Sequence, residues 1–164
     1  MTKNRRLAGV IALSVVALVA TGCASPGPVN TKSPAESQKQ LFAVLDDVQQ
    51  QIGGDWVNED SLSPRGCELR GGDDGATFTG ARTLAGAAMS DTEIDDLVAF
   101  LGDKGFDAGS AGMGVLIDVM AVDPDDKTSY VEVRIGKFST QLTGQAPCAV
   151  GDVYDELQRV ENGD

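Results

Sequence analysis

A 14-residue apolar run, Leu7 to Ala20, stands directly behind Lys3, Arg5 and Arg6. The run falls short of the ~20 residues that a bilayer-spanning helix needs. A basic start followed by a short apolar core reads as a secretory signal. An uncleaved signal anchor is the alternative, and the length argues against it. This segment constrains the fold more than any other, because an exported chain folds where cysteines can pair. The Arg5-Arg6 pair does not decide between Sec and twin-arginine export.

The run ends in Leu18-Val19-Ala20-Thr21-Gly22-Cys23. This resembles a bacterial lipobox, with Ala20 where Leu is more usual. The resemblance implies that residues 1–22 are a signal peptide and that cleavage falls before Cys23. Cys23 then carries a thioether diacylglycerol and an N-acyl chain. One chain binds membranes only marginally, whereas two or more anchor stably. The expected localisation is the cell membrane, lipid-anchored on its extracytoplasmic face. Residues 23–33, with Ser25, Pro26, Gly27, Pro28 and Asn30, read as a tether. Such a segment spans some tens of ångströms when extended. Residues 34–164 have the length of one domain.

Charge and composition then exclude whole classes of function. The chain has 13 Lys and Arg, 25 Asp and Glu, and no histidine. Losing Lys3, Arg5 and Arg6 with the signal moves the net charge from −12 to −15. That balance lacks the basic footprint of a nucleic-acid binder. Without histidine there is no Ser-His-Asp or Cys-His nucleophile pair and no usual zinc site. Cys67 and Cys148 remain, and an even pair in an exported chain is most simply a disulfide. Its loop of about 80 residues would contribute roughly 4–5 kcal/mol in the chain-entropy account. Free thiols are the remaining alternative.

Ser33-Pro34-Ala35-Glu36 is a helix start, with Ser at the cap, Pro at the first turn and Glu at the third position. Leu41, Leu45, Val48 and Ile52 then share one helical face, and Gly53-Gly54 stops the helix. Trp56 follows in a connector and reads as a lid on the core, with an exposed binding residue as the alternative. Cys67 to Leu69 and Ala76 to Leu84 are two expected strands, with a turn between and Phe78 as the core candidate. Ser90-Asp91-Thr92-Glu93 is a second capping box, and Ile94, Leu97, Val98 and Leu101 form the buried stripe behind it.

Gly109 to Gly114 reads as a turn. Val115 to Val122 and Tyr130 to Ile135 form a hairpin around Asp123-Pro124-Asp125-Asp126-Lys127. Val131, Val133 and Ile135 alternate strictly with Tyr130, Glu132 and Arg134. The apolar parity then flips to Phe138 and Leu142, which predicts a bulge at Gly136. Val153, Leu157 and Val160 suggest a short C-terminal helix. The expected fold is an α+β two-layer sandwich. It has a mainly antiparallel four-stranded sheet with two helices on one face, in the order α-β-β-α-β-β plus the C-terminal helix.

The pattern resembles the mycobacterial LppA-like lipoproteins over roughly residues 50–150 and the lipobox. The likeness runs through Trp56, Cys67, the helix ending near Gly105, and Tyr130-Val131-Glu132-Val133-Arg134 to Phe138-Ser139-Thr140-Gln141-Leu142-Thr143-Gly144 and Cys148. Cys148 sits slightly further from its Thr-Gly than the family pattern has it. The resemblance implies an anchored envelope lipoprotein with Cys67 paired to Cys148, and no transferable enzymatic activity.

The residues themselves offer little catalytic chemistry. The pairs Asp46-Asp47, Asp73-Asp74, Asp95-Asp96 and Asp125-Asp126 are two-carboxylate candidates for glycoside hydrolysis. Adjacent acids in turns and on helix faces are ordinarily solvated. Asp123 to Thr128 lacks the Gly and distal Glu of an EF-hand. Gly109 to Gly114 has no Lys-Ser/Thr and leads into a strand, so it is not a phosphate loop. No metal ligand set, cofactor or catalytic residue is assigned.

Asp118, Tyr130, Glu132 and Arg134 are placed on the polar sheet face as a possible docking surface, with a solvated face as the plainer reading. The expected function is a non-enzymatic binding module of the envelope, held to the membrane through Cys23. Its partner is an envelope protein or a small ligand, and no nucleic acid. A carrier of an apolar ligand between helices and sheet is the alternative, and a carboxylate hydrolase stands behind both.

Overall fold

A computed structural model describes residues 32–86 and 88–163. The signal segment, Cys23 and the tether up to Thr31 therefore lie outside the described residues. Helix α1 covers Pro34–Ile52 and α2 covers Asp91–Asp103. Both begin with the complete capping box expected of them, Ser33 with Glu36 and Ser90 with Glu93. Their buried stripes are Leu41, Leu45 and Val48 on α1, and Ile94, Leu97 and Leu101 on α2. Gly53 ends α1 at φ +76°, a conformation open to glycine at no cost. A third helix, α3, covers Val153–Asn162 behind an Asp152 cap, and Val160 packs on the core.

The protein is α+β, with more sheet than the four expected strands. Strands β1 (Trp56–Asn58), β4 (Thr79–Ala85), β5 (Asp107–Met113), β6 (Leu116–Val122), β7 (Tyr130–Ile135) and β8 (Ser139–Gln145) form one sheet. Its order is β1-β4-β8-β7-β6-β5, antiparallel throughout. A smaller sheet joins β2 (Arg65–Glu68), β3 (Asp74–Thr77) and β9 (Ala149–Val150) in the order β2-β3-β9. The hairpin of β6 and β7 stands as expected, with Asp118 opposite Arg134 and Val119 opposite Val133.

Four features correct the expectation. The run Gly109 to Gly114 belongs mostly to β5, an edge strand that pairs residue for residue with β6. Its Gly, Ala and Ser side chains bury too little to give an alternating pattern. Trp56 lies on β1 rather than in a connector, half-buried against the core. The single strand expected over Ala76 to Leu84 is two: Phe78, fully buried, marks the point where the chain passes from the small sheet to the large one. Finally, Gly136 is no bulge. Its N–H donates to the Ser139 carbonyl at 2.9 Å across a turn, which starts the separate strand β8 and leaves Phe138 exposed.

Residues of one parity on each strand face the helices: Val119 and Ala121, Val131 and Val133, Leu142 and Gly144, Gly80 and Leu84. Gly80 and Gly144 stand opposite each other, and a Cβ on either would overlap Leu45 or Leu41 of α1. This glycine pair lets α1 lie close on the sheet. The other parity faces outward, where no helix of the described residues packs.

Candidate functional site

The outward face carries the residues expected to share a surface. Arg134 Nε donates to Asp118 Oδ1 at 3.0 Å, across the β6–β7 pair, and Arg134 Nη2 donates to Glu132 Oε1 at 2.6 Å. The Thr143 hydroxyl on β8 donates to Glu132 Oε2 at 3.3 Å and extends the cluster by one strand. Asp118 and Glu132 are mostly covered, while Arg134 is 43% exposed. The Asp118 hydrogen bond first, and the Glu132 charge second, hold the Arg134 guanidinium still more firmly protonated. Tyr130 shares the face but not the cluster. It pairs with Val122 and Gln145 at the far end of β7, about 13 Å along the strand from Arg134.

A second part of the surface was not foreseen. Val115 and Phe138 are 85% and 80% exposed, and they flank a groove of about 440 Å³ with Leu116, Lys137, Gln141 and Arg134. Lys137 Nζ sits 5.4 Å from the Phe138 ring centre, within cation–π range. Arg134 thus belongs both to the polar cluster and to the rim of this apolar end. The sequence pointed the other way: Phe138 has the parity of Thr140 and Leu142, which face inward on β8, and the turn at Gly136 is what places it outside.

Cys67 and Cys148 are joined, with an S–S distance of 2.06 Å and Cα atoms 5.9 Å apart. The bond ties β2 to the residue just before β9, across the small sheet. The Cys148 N–H also donates to Asp126 Oδ2 at 3.2 Å. Asp126 and Asp123 are otherwise engaged as turn acceptors, Asp123 for the Asp125 and Asp126 amides and Asp126 for Thr128. Asp46 pairs with Arg82 and Asp47 with Lys104, while Asp73, Asp74, Asp95 and Asp96 lie exposed. Among the described residues no group of three or more His, Cys, Asp or Glu is arranged to hold a metal ion. Among them, too, no helix is long and apolar enough to cross a membrane.

On the opposite face sits a cluster the sequence reading missed. Arg82 is 2% exposed and donates to Asp60 Oδ2 at 2.7 Å, Asp46 Oδ1 at 2.6 Å and Gln49 Oε1 at 2.5 Å. Burial pulls its pKa down, and the bonds to Asp60 and then Asp46 more than restore it. No buried side-chain polar atom among the described residues lacks a partner. A crevice between α1 and the β7–β8 end of the sheet, lined by Leu41, Val44, Phe106 and Val131, holds about 40 Å³.

These features define an α+β protein whose antiparallel sheet is helix-covered on one face and open on the other. No protein-family model matches the chain, and no curated protein matches it. Among solved structures, a DUF4853 family protein from Actinomyces odontolyticus is similar to it at a TM-score of 0.56. The likeness covers 75% of this chain and 72% of that one at 15% identity, and it concerns the fold.

Proposed function

We propose that the protein is an envelope lipoprotein, anchored through Cys23, that docks a second envelope protein on the open face of its large sheet. One observation carries the docking reading: the Asp118–Arg134–Glu132 cluster is bordered at the strand ends by the exposed Phe138 and Val115. A polar cluster beside large exposed apolar side chains is the composition of an interaction surface rather than of an idle one. The lipobox resemblance and the likeness to LppA-like lipoproteins support the anchored location, and a paired Cys67–Cys148 suits an oxidising compartment. The crevice of about 40 Å³ has room for a water and not for an apolar cargo, which weighs against the carrier reading.

Three measurements test the two halves of the proposal. Cys23→Ala should move the protein from the membrane fraction to unprocessed or soluble forms, and unchanged membrane attachment would sink the anchor. The non-reduced protein should also show no free thiol at Cys67 or Cys148. For docking, a cross-linked pull-down from native envelope should lose its partner on Arg134→Ala or Phe138→Ser. If the bound set stays the same for both variants, the face is only a solvated surface.

A further inference from the structure

Beside the last turn of α1, on the helix side of β1, lies an open groove of about 450 Å³. Gln49, Gln50, Asp55, Trp56 and Asn58 line it. Its polar groups are oriented from the interior outward. The Arg82 guanidinium has only donors, so the oxygen of the Gln49 amide must face it. Gln49 Nε2 then donates to Asn58 Oδ1 at 2.9 Å, which turns Asn58 Nδ2 away from Gln49. Asp46 and Asp60 fix the buried Arg82 at the root of this relay. Trp56 is fixed as well: its Nε1 donates to the Gly53 carbonyl at 2.9 Å, and its ring lies half-buried between core and groove. A site whose donors and ring are already set loses little order on binding.

We propose that this groove binds an uncharged, hydroxyl-rich ligand, a saccharide, stacked on Trp56 and hydrogen-bonded by Asn58 and Gln50. Charge selects the class. The C-terminal end of α1 carries no basic residue in its last turn, and Asp55 adds a carboxylate, so an anion is repelled. The same charge would draw a cation, so the Asn58 Nδ2 donors decide against one, because a cation offers them no acceptor. Hydroxyls both give and accept, and so match a groove that holds amide donors, amide oxygens and a carboxylate. The C–H face of a pyranose ring suits the electron-rich face of an indole. The groove stands apart from the open sheet face, and nothing in the argument depends on the anchor at Cys23.

Trp56 is the only tryptophan in the chain, so its emission reports this groove alone. The full chain, in a detergent free of sugar, is titrated with neutral trisaccharides of glucose, N-acetylglucosamine, galactose, mannose and arabinose. At least one should give a saturable change in emission. Asn58→Ala and Gln50→Ala, both at exposed side chains, should each weaken that binding about ten-fold, the size of one hydrogen bond lost. Val57→Ala, on the other face of β1, should leave it unchanged. The melting temperature of all three should match that of the parent. The proposal fails if no trisaccharide gives a saturable change, if choline or a glucuronate trisaccharide binds as well, or if the two groove variants bind like the parent.

Discussion

Arg82 and Arg134 stand on opposite faces of the same sheet, each between two carboxylates, and they do different work. Arg82 is 2% exposed and Arg134 is 43% exposed. Behind α1, removing one partner of the Arg82 cluster strands a charge out of water, so the cluster holds helix, β4 and the segment around Asp60 together. On the open face, solvent screens the Arg134 cluster and makes its energy small. What it retains is shape and charge pattern, which is what a docking partner reads. The same chemistry is thus architecture on one side of a sheet and recognition on the other, with water access as the difference.

The largest expected effect breaks the covered side. Arg82→Ala should destabilise the protein by about 3 kcal/mol, at the lower end for a broken buried ion pair because Asp46 reaches solvent. Urea unfolding measures it, and a loss within error of zero would show that the covered cluster is no more structural than the exposed one. Arg82→Met should recover part of the loss, since the apolar stem still fills the site.

Next in size is a test of closeness. A Cβ at Gly144 would meet Leu41 at 2.8 Å, Leu45 at 3.1 Å and the Tyr130 carbonyl at 3.2 Å. Gly144→Ala should therefore cost about 1–3 kcal/mol by overpacking. Gly109 on β5 has nothing within 4 Å of such a Cβ. Gly109→Ala should be neutral or stabilising by about 0.4–1 kcal/mol, through the unfolded chain. In thermal melts Gly144→Ala should fall while Gly109→Ala holds or rises, and equal shifts would mean that the two sites are not differently crowded.

The covered side was also the more legible one in the sequence. Both helices announce themselves twice, by a capping box and by a stripe of Leu, Ile and Val, and both were found. The β6–β7 hairpin was found because Val131, Val133 and Ile135 alternate without a gap. Strands with little to bury were lost: β5 is Gly, Ala and Ser over most of its length, and β1 has three residues. Arg82 was missed although its position carried a signal. Phe78, Gly80, Arg82 and Leu84 share one parity, so a strand that buries Phe78 and Leu84 also points Arg82 inward. Residue type argued for the surface, and period argued for the core. On the open face, sequence spacing placed Asp118, Glu132 and Arg134 together, but it had no means of showing that Phe138 returns beside them through a turn at Gly136.

The helix caps probe the covered layer more gently. The Ser33 and Ser90 backbone N–H groups, and next their hydroxyls, hold the Glu36 and Glu93 carboxyls below the usual carboxylate range. A depressed folded pKa adds stability that is present above the unfolded value of ~4.3 and is lost as pH falls through the folded value. The melting temperature should therefore fall on acidification below that range, and Glu93→Gln should make the fall shallower. An acid profile unchanged by Glu93→Gln would remove the cap from the account. Ser90→Ala, at neutral pH, should cost about 1 kcal/mol.

The smallest expected effect on stability is on the open face, and there the smallness is the point. Arg134→Ala removes a side chain that is itself 43% exposed and meets the mostly covered Asp118 and Glu132 at the solvent boundary, so its melting temperature should fall far less than that of Arg82→Ala. Asp118→Asn should do the same, and the double variant should show little coupling in the melt. The docking reading requires the opposite pattern in binding: either single change should reduce partner recovery, and the pair should be no worse than the stronger single. A melting temperature that drops as far as that of Arg82→Ala would put Arg134 among the residues that build the fold. Binding lost without any change in melting would separate the two faces of the sheet by function as cleanly as water already separates them by exposure.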